Sequence, residues 1–149
     1  MRRVPVASVF AAACLVCAAP GVMRAAQGAA KTTRDGVYAD AQAQAGETLY
    51  ADKCAECHGP DQTGGFGPPL VGPVFVSTWG DMALSDLFDS IKNTAPASNP
   101  GSLSRDEVSD VMAYLLQVNG FPAGTSDLPN SSELLKPIRI AFATPNAER

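Results

Sequence analysis

The sequence is poor in histidine, in charge and in long apolar runs. Of its 149 residues, one is a histidine, one is a tryptophan and 17% are charged. No Ser/His/Asp set, pair of catalytic carboxylates or Gly-rich phosphate loop can be recognised, so nothing in the chain supports hydrolytic or nucleotide chemistry. A site with two imidazole ligands is excluded as well, because His58 is the only histidine.

The one extended apolar run lies at the start of the chain. Two arginines precede an apolar stretch at residues 4–19, and small residues follow it. This order is typical of a secretory signal peptide, and the run is too short to span a membrane. We interpret residues 1–30 as a signal peptide cleaved near its end, although a site after Ala19 also fits. A lipid attached at Cys14 or Cys17, or an uncleaved anchor, remains an alternative.

Removal of the signal peptide makes the chain strongly acidic. Residues 31–149 contain eight basic and fifteen acidic side chains, a net charge of −7. Such a charge argues against nucleic acid or an anionic membrane surface as a partner. This net charge is consistent with docking to a basic patch on a partner protein, or with solubility alone. We therefore expect a periplasmic protein without a stable membrane anchor.

The sequence CAECH at residues 54–58 carries the clearest chemistry of the chain. Two thiols three positions apart, followed directly by a histidine, are the arrangement that attaches a c-type haem. Cys54 and Cys57 would each add to one haem vinyl group as a thioether, and His58 would bind the iron as the proximal ligand. The motif predicts one covalently attached haem c with its iron.

Two other interpretations of CAECH fit less well. A structural zinc ion normally takes four ligands, and only three soft ligands remain once Cys14 and Cys17 leave with the signal peptide. A thioredoxin-like dithiol opens a helix after a strand. Here a helical pattern precedes the motif, and a loop rich in Gly and Pro follows it.

Apolar periodicity predicts helices on either side of the motif. Apolar and small residues recur at three- and four-residue steps over residues 37–53 and again over residues 82–92, where Asp81 is the expected N-cap. Ser104 and Glu107 form a capping box that opens a third helix.

The third helix should end at Asn119 and Gly120, which favour a left-handed stop. Gly46 lies inside the first helix, where glycine costs about 1 kcal/mol relative to alanine. A close helix crossing would justify that cost, and Tyr114 on the third helix is the expected contact.

Irregular segments separate these helices. Residues 59–73 contain too much Gly and Pro for a helix or strand, and a loop this long is usually functional. We expect it to cover the proximal side of the haem, where the carbonyl of Pro68 would accept the free N–H of His58. Phe75 and Trp79 follow in a connecting stretch, and Trp79 is expected to contact the haem.

A second irregular loop is predicted at residues 93–101. Beyond residue 125 only a short helical turn near residues 131–136 is expected. We divide the mature chain into a haem domain at residues 31–125 and an extended C-terminal tail at residues 126–149.

The order helix, CAECH, Gly/Pro loop, helix, irregular loop, helix resembles the class I cytochrome c family over about residues 38–124. The resemblance implies an all-α cytochrome c fold in which three main helices wrap around one covalently attached haem, with long Gly/Pro loops. It implies the crossing of Gly46 and Tyr114. Residues 67–70, GPPL, match the family's Gly-Pro-x-Leu element, which makes Pro68 and Leu70 haem-contacting residues.

Residues 100–104, PGSLS, and 119–124, NGFPAG, look like a bacterial branch often found beside periplasmic quinoprotein dehydrogenases. The resemblance implies a periplasmic carrier of single electrons from a dehydrogenase to a downstream acceptor, rather than an enzyme. Its partner would be a redox protein, with a quinoprotein dehydrogenase as the candidate donor. A haem enzyme or gas-binding sensor is the alternative.

One position departs from that branch. The sixth haem ligand there is a methionine directly before a proline, and Ala95 stands at this place in the sequence TAP at residues 94–96. The other candidates are Met82, Met112, Lys92, Asn93, water or an open position. Because both methionines fit the apolar periodicity of their helices, we expect a water-bound or open position.

Overall fold

The computed structural model describes residues 31–142. The expected signal peptide, with Cys14 and Cys17, and the last seven residues of the tail lie outside the described residues. Within the described part are a 3-10 turn, Thr33–Asp35, and six α-helices: α1 (Asp40–Lys53), α2 (Ala55–His58), α3 (Gly72–Trp79), α4 (Leu84–Thr94), α5 (Arg105–Val118) and α6 (Ser132–Leu135). Between residues 31 and 142 the chain forms isolated β-bridges but no strand. The predicted all-α fold is confirmed.

The three long helices α1, α4 and α5 are those that the periodicity predicted. In α5 the capping box is formed as expected, because Ser104 Oγ accepts from the N–H of Glu107 at 3.2 Å and the Glu107 carboxylate accepts from the N–H of Ser104 at 2.7 Å. The helix stops where Gly120 takes a φ of +79°. None of the described helices is both long and apolar enough to cross a membrane.

Helix α4 starts two residues later than predicted, and the assignment of Asp81 as its N-cap is wrong. Asp81 has a φ of +62° and donates its N–H to the carbonyl of Ile140 at 2.9 Å. The N–H of Ile140 in turn donates to Met82 at 3.0 Å. This pairing with the C-terminal segment holds the chain out of the helix, and Ala83 becomes the N-cap, with its N–H bound to Asp86 at 3.1 Å.

Helix α3 was not predicted, since its residues were assigned to a loop and a connecting stretch. Pro73 lies in its first turn, where a proline removes no intrahelical hydrogen bond and its fixed φ favours the helix. Phe75 is buried, whereas Val74 and Val76 are exposed. The proline therefore begins a helix here instead of breaking one.

Helix α5 is the centre of the packing and buries two of its faces. Val108, Met112 and Leu116 belong to the main core, while Val111 and Leu115 face a second cluster toward α1 and the haem motif. Helices α1 and α5 cross at Gly46, as predicted. A Cβ atom there would overlap the carbonyl oxygen of Asp110 and lie 3.0 Å from Tyr114 Cβ.

The C-terminal segment contributes more to the core than a surface tail would. Leu128, Leu135, Ile138 and Ile140 are all at most 4% exposed and lie in the main core. The segment also pairs with the start of the described chain through Arg139, whose carbonyl accepts from the N–H of Thr33 at 2.9 Å. The helical turn predicted near residues 131–136 is confirmed as α6. The domain boundary at residue 125 stays a prediction.

Candidate haem site

The CAECH motif lies in a break between two helices. Cys54 closes α1 by donating its N–H to Tyr50 at 2.9 Å, and its carbonyl then accepts from His58 at 3.0 Å inside α2. Its backbone, with φ −123° and ψ −34°, turns the chain between these helices. Cys54 and Cys57 are free thiols, each half-buried. The short helix α2 and its N-cap Cys54 thus carry both thiols and the imidazole within little more than one helical turn.

The ring of His58 is held on one side by the loop that follows it. Its Nδ1 lies 2.8 Å from the carbonyl oxygen of Pro68, which is the hydrogen bond expected from the sequence. Because a carbonyl only accepts, Nδ1 carries the proton and Nε2 keeps its lone pair for a metal ion. Gly67 packs against the ring so closely that a Cβ atom would lie 2.7 Å from His58 Cε1.

The loop is itself fastened to the helices behind it. The backbone carbonyl of Gln62 accepts from the N–H of Leu70 at 2.8 Å, and its side-chain amide donates to the hydroxyl of Tyr114 at 2.9 Å. Tyr50 donates its hydroxyl to the carbonyl of Gly59 at 2.7 Å, and Asn119 donates to the carbonyl of Leu70 at 2.9 Å. The position of the imidazole is therefore determined by α1 and α5 and does not depend on the loop alone.

A cavity of about 310 Å³ opens beside His58. Cys54, Pro68, Leu70 and Trp79 line it, so the structure brings five of the six predicted site residues together, and Cys57 lies just outside the lining. The remaining lining residues come from the loop and from α3, α4 and α5: Pro69, Val74, Thr78, Leu87, Ser90, Ile91, Thr94, Ala95, Val111 and Leu115. No acidic, lysine or arginine side chain lines the cavity within the described part of the chain.

Burial raises the pKa of one group in the cavity wall and of one group outside it. It raises the pKa of the Cys54 thiol to about 11, and the neighbouring Cys57 adds a smaller effect. Burial likewise raises the pKa of Tyr50 to about 12. Both groups are neutral at pH 7, and of the two only Cys54 lines the cavity, where a neutral thiol suits the apolar wall.

The donor set fits a haem better than a metal ion alone. Among residues 31–142 no three His, Cys, Asp or Glu side chains lie close enough to hold a metal ion, so Cys54, Cys57 and His58 do not converge as zinc ligands. An imidazole with a free Nε2, two unpaired thiols and an apolar cavity are what a covalent haem requires. Val111 and Leu115, which line the cavity from α5, were not named as site residues. Their spacing of four on a helix was the available signal.

A family model supplies the deciding comparison. The model described as "Cytochrome C oxidase, cbb3-type, subunit III" matches residues 41–115, half of the chain, including CAECH and the cavity wall from α3 to Leu115. The chain belongs to this family. It is a c-type cytochrome, and its cofactor is a covalently bound haem c with its iron.

Two individual proteins are similar to this cytochrome. The "Cbb3-type cytochrome c oxidase subunit CcoP" of Rubrivivax gelatinosus is 33% identical over 92 residues, which covers 56% of this chain and 28% of CcoP. The cytochrome thus spans little more than a quarter of the length of that relative. The crystal structure of the "Sulfane Dehydrogenase SoxCD from Paracoccus pantotrophus" matches at 27% identity with a TM-score of 0.47, covering 71% of this chain and 54% of the other.

Proposed function

We propose that this cytochrome carries single electrons in the periplasm, and that Cys54 and Cys57 would hold the haem as thioethers while His58 would bind its iron. The observation that carries the proposal is the imidazole of His58, held by the carbonyl of Pro68 at 2.8 Å beside an uncharged cavity. When bound, the haem supplies the one-electron redox chemistry of its iron.

The protein's own part would be to orient the imidazole of His58 and to exclude water from the haem cavity. The hydrogen bond from His58 to Pro68 selects one tautomer and raises the basicity of the opposite nitrogen, which is the usual role of a second partner to a metal-binding imidazole. Leu70, Trp79 and Leu87 supply apolar walls. Low polarity around a haem and a fixed axial ligand are the means by which a protein sets the reduction potential. Neither requires a residue that acts on a substrate.

Electrons would enter and leave through an uncharged surface beside the cavity. Phe66 is 96% exposed in the loop, and Val74 and Val76 are 43% and 39% exposed on α3. We call these three residues the apolar rim. No charged residue occurs from position 62 to position 80, although the mature chain carries a net charge of −7. The rim favours a partner with an apolar docking face over one with a basic patch.

A protein donor is the remaining part of the proposal. We propose a periplasmic quinoprotein dehydrogenase, on the basis of the PGSLS and NGFPAG segments at residues 100–104 and 119–124. The name of CcoP places that relative in an oxidase, so this cytochrome would also work with protein partners. Stopped-flow reduction by a purified quinoprotein dehydrogenase with its substrate tests the donor. No reduction above the rate without enzyme would refute it.

Intact-mass analysis tests the attachment. Protein exported in cells with a cytochrome c maturation system should carry one haem on a chain that begins near Lys31. The single variants Cys54→Ala and Cys57→Ala should each keep one thioether, whereas the double variant should lose all haem on denaturing extraction. Voltammetry of the wild type should show one reversible one-electron wave. Covalent haem in the double variant would overturn the assignment of the thiols.

A further inference from the structure

The geometry points to a second axial position that this chain leaves to a small molecule from outside. This inference rests on the proposed role of His58 and goes beyond electron transfer, because it adds a ligand-binding site. It assigns that site to the part of the cavity bordered by α4, where Ser90, Thr94 and Ala95 contribute to the lining. The ligand class is small, uncharged molecules such as carbon monoxide.

Among the side chains that line the cavity, only that of His58 has a nitrogen or sulfur lone pair free to bind the iron. A haem iron takes axial nitrogen or sulfur ligands such as imidazole, thioether or thiolate. Apart from His58, the lining residues carrying nitrogen or sulfur in their side chains are Cys54, which is committed to the thioether, and Trp79, whose indole N–H is a donor only. The hydroxyls of Thr94 and Thr78 already donate within their helices, to Ser90 at 2.7 Å and to Val74 at 2.8 Å.

The methionines of the described chain lie elsewhere. Met112 is fully buried in the main core, on α5 beside the face that lines the cavity, and it does not line the cavity itself. Met82 is 37% exposed in the turn that pairs with Ile140 and is also absent from the lining. To bind the iron, Met112 would have to leave the main core, and Met82 would have to leave the turn whose backbone is paired with Ile140.

Two weaker candidates are also placed away from the cavity. The ammonium group of Lys92 donates to the carbonyl of Gly101 at 2.7 Å, and Asn93 is exposed on α4. Neither lines the cavity. Ala95 does line it and has no lone pair to offer. The position is therefore left to water or to a molecule that enters.

The side chains that line the cavity determine which molecules can enter it. Ser90 and Thr94 on α4 and Ala95 at its C-cap are short side chains, and the lining contains no charged side chain apart from the titratable His58 and Cys54. No basic side chain of the lining would compensate an anion for its lost hydration, which is costly in an apolar site. A small uncharged diatomic avoids that cost. Carbon monoxide is the probe of choice because it binds ferrous haem without being consumed.

Visible and near-infrared spectra of the purified, haem-loaded protein test the inference. The ferric wild type should lack the sulfur-to-iron charge-transfer band, and the ferrous protein should shift its Soret band on addition of carbon monoxide. Ala95→Met should create the charge-transfer band. If the new thioether occupies the position in roughly 99% of molecules, the apparent affinity for carbon monoxide should fall about a hundredfold.

Met82→Leu and Met112→Leu are the matched controls, since each removes a thioether while conserving volume. Both should leave the spectrum and the carbon monoxide affinity of the wild type unchanged. A strong charge-transfer band in the wild type that disappears in one of them would overturn the inference and identify the ligand. Absence of haem from the intact mass would instead refute the proposed function, so the two failures are distinguishable.

Discussion

Gly46→Ala should destabilise the protein although it improves the helix. Alanine is favoured over glycine inside a helix by about 1 kcal/mol. Against this gain, the new methyl group would overlap the carbonyl oxygen of Asp110 and lie 3.0 Å from Tyr114 Cβ. Both obstacles belong to the backbone, or stand directly on it, and cannot rotate away. Helix α5 would have to move as a whole.

The magnitude follows from these opposing effects. Overpacking of a close contact costs about 1–3 kcal/mol, and an immovable carbonyl favours the upper end of that range. After the gain in helix propensity is subtracted, we expect Gly46→Ala to lower the free energy of unfolding by about 2 kcal/mol. Urea unfolding of the haem-loaded protein, followed by circular dichroism, measures this quantity.

Gly46→Ala should also alter the cavity beside His58. Val111 and Leu115 line it from α5, so a displacement of α5 should shift the reduction potential measured by voltammetry. Gln44→Ala is the control, because Gln44 is exposed on α1 two residues away. Its effect on stability should be within about 0.5 kcal/mol. An increase in stability for Gly46→Ala, as propensity alone predicts, would refute the close crossing.

Three further predictions concern the imidazole ring of His58, the start of α5 and the apolar rim. Gly67→Ala should displace the imidazole of His58, since its Cβ would lie 2.7 Å from the ring, and voltammetry should show a changed potential; an unchanged potential would contradict the contact. Ser104→Ala should lower the free energy of unfolding by about 1 kcal/mol in urea, because α5 loses its N-cap, and a neutral result would contradict that role. Phe66→Glu should slow electron self-exchange measured by NMR line broadening, most strongly at low salt. Leu134→Glu adds the same charge on α6, away from the cavity lining, and should have a smaller effect.

Features of the site that depend on neighbouring residues were predictable from the sequence. The motif CAECH places both cysteines and the histidine within five residues, and the hydrogen bond from His58 to Pro68, named with the help of the Gly-Pro-x-Leu resemblance, spans ten residues. Helix α5 was equally accessible, because its capping box and its apolar face are local patterns.

Features that depend on contacts between distant segments of the chain could not be predicted from local sequence patterns. The start of α4 is delayed because residues 81–82 pair with Ile140, almost sixty residues further along. The C-terminal segment reads as irregular, with three prolines, yet Leu135 and Ile140 are fully buried. Periodicity reports one face of a regular element, so isolated apolar residues in an extended segment give no comparable signal.

The distribution of charge separates the surface that we propose for electron exchange from the rest. Residues 62–80 and 93–104 contain no charged side chain, and these two segments supply the loop after Asp61, α3 and Ala95, which contribute to the lining of the cavity. The fifteen acidic residues lie outside both segments. Close approach of a partner removes water from the contact, and burying an unpaired charge there would cost more than burying an apolar side chain. A net charge far from zero generally favours solubility, which is the role that the acidic remainder would have. Under the proposed function, a partner would therefore approach the haem over the apolar rim rather than over the acidic part of the surface.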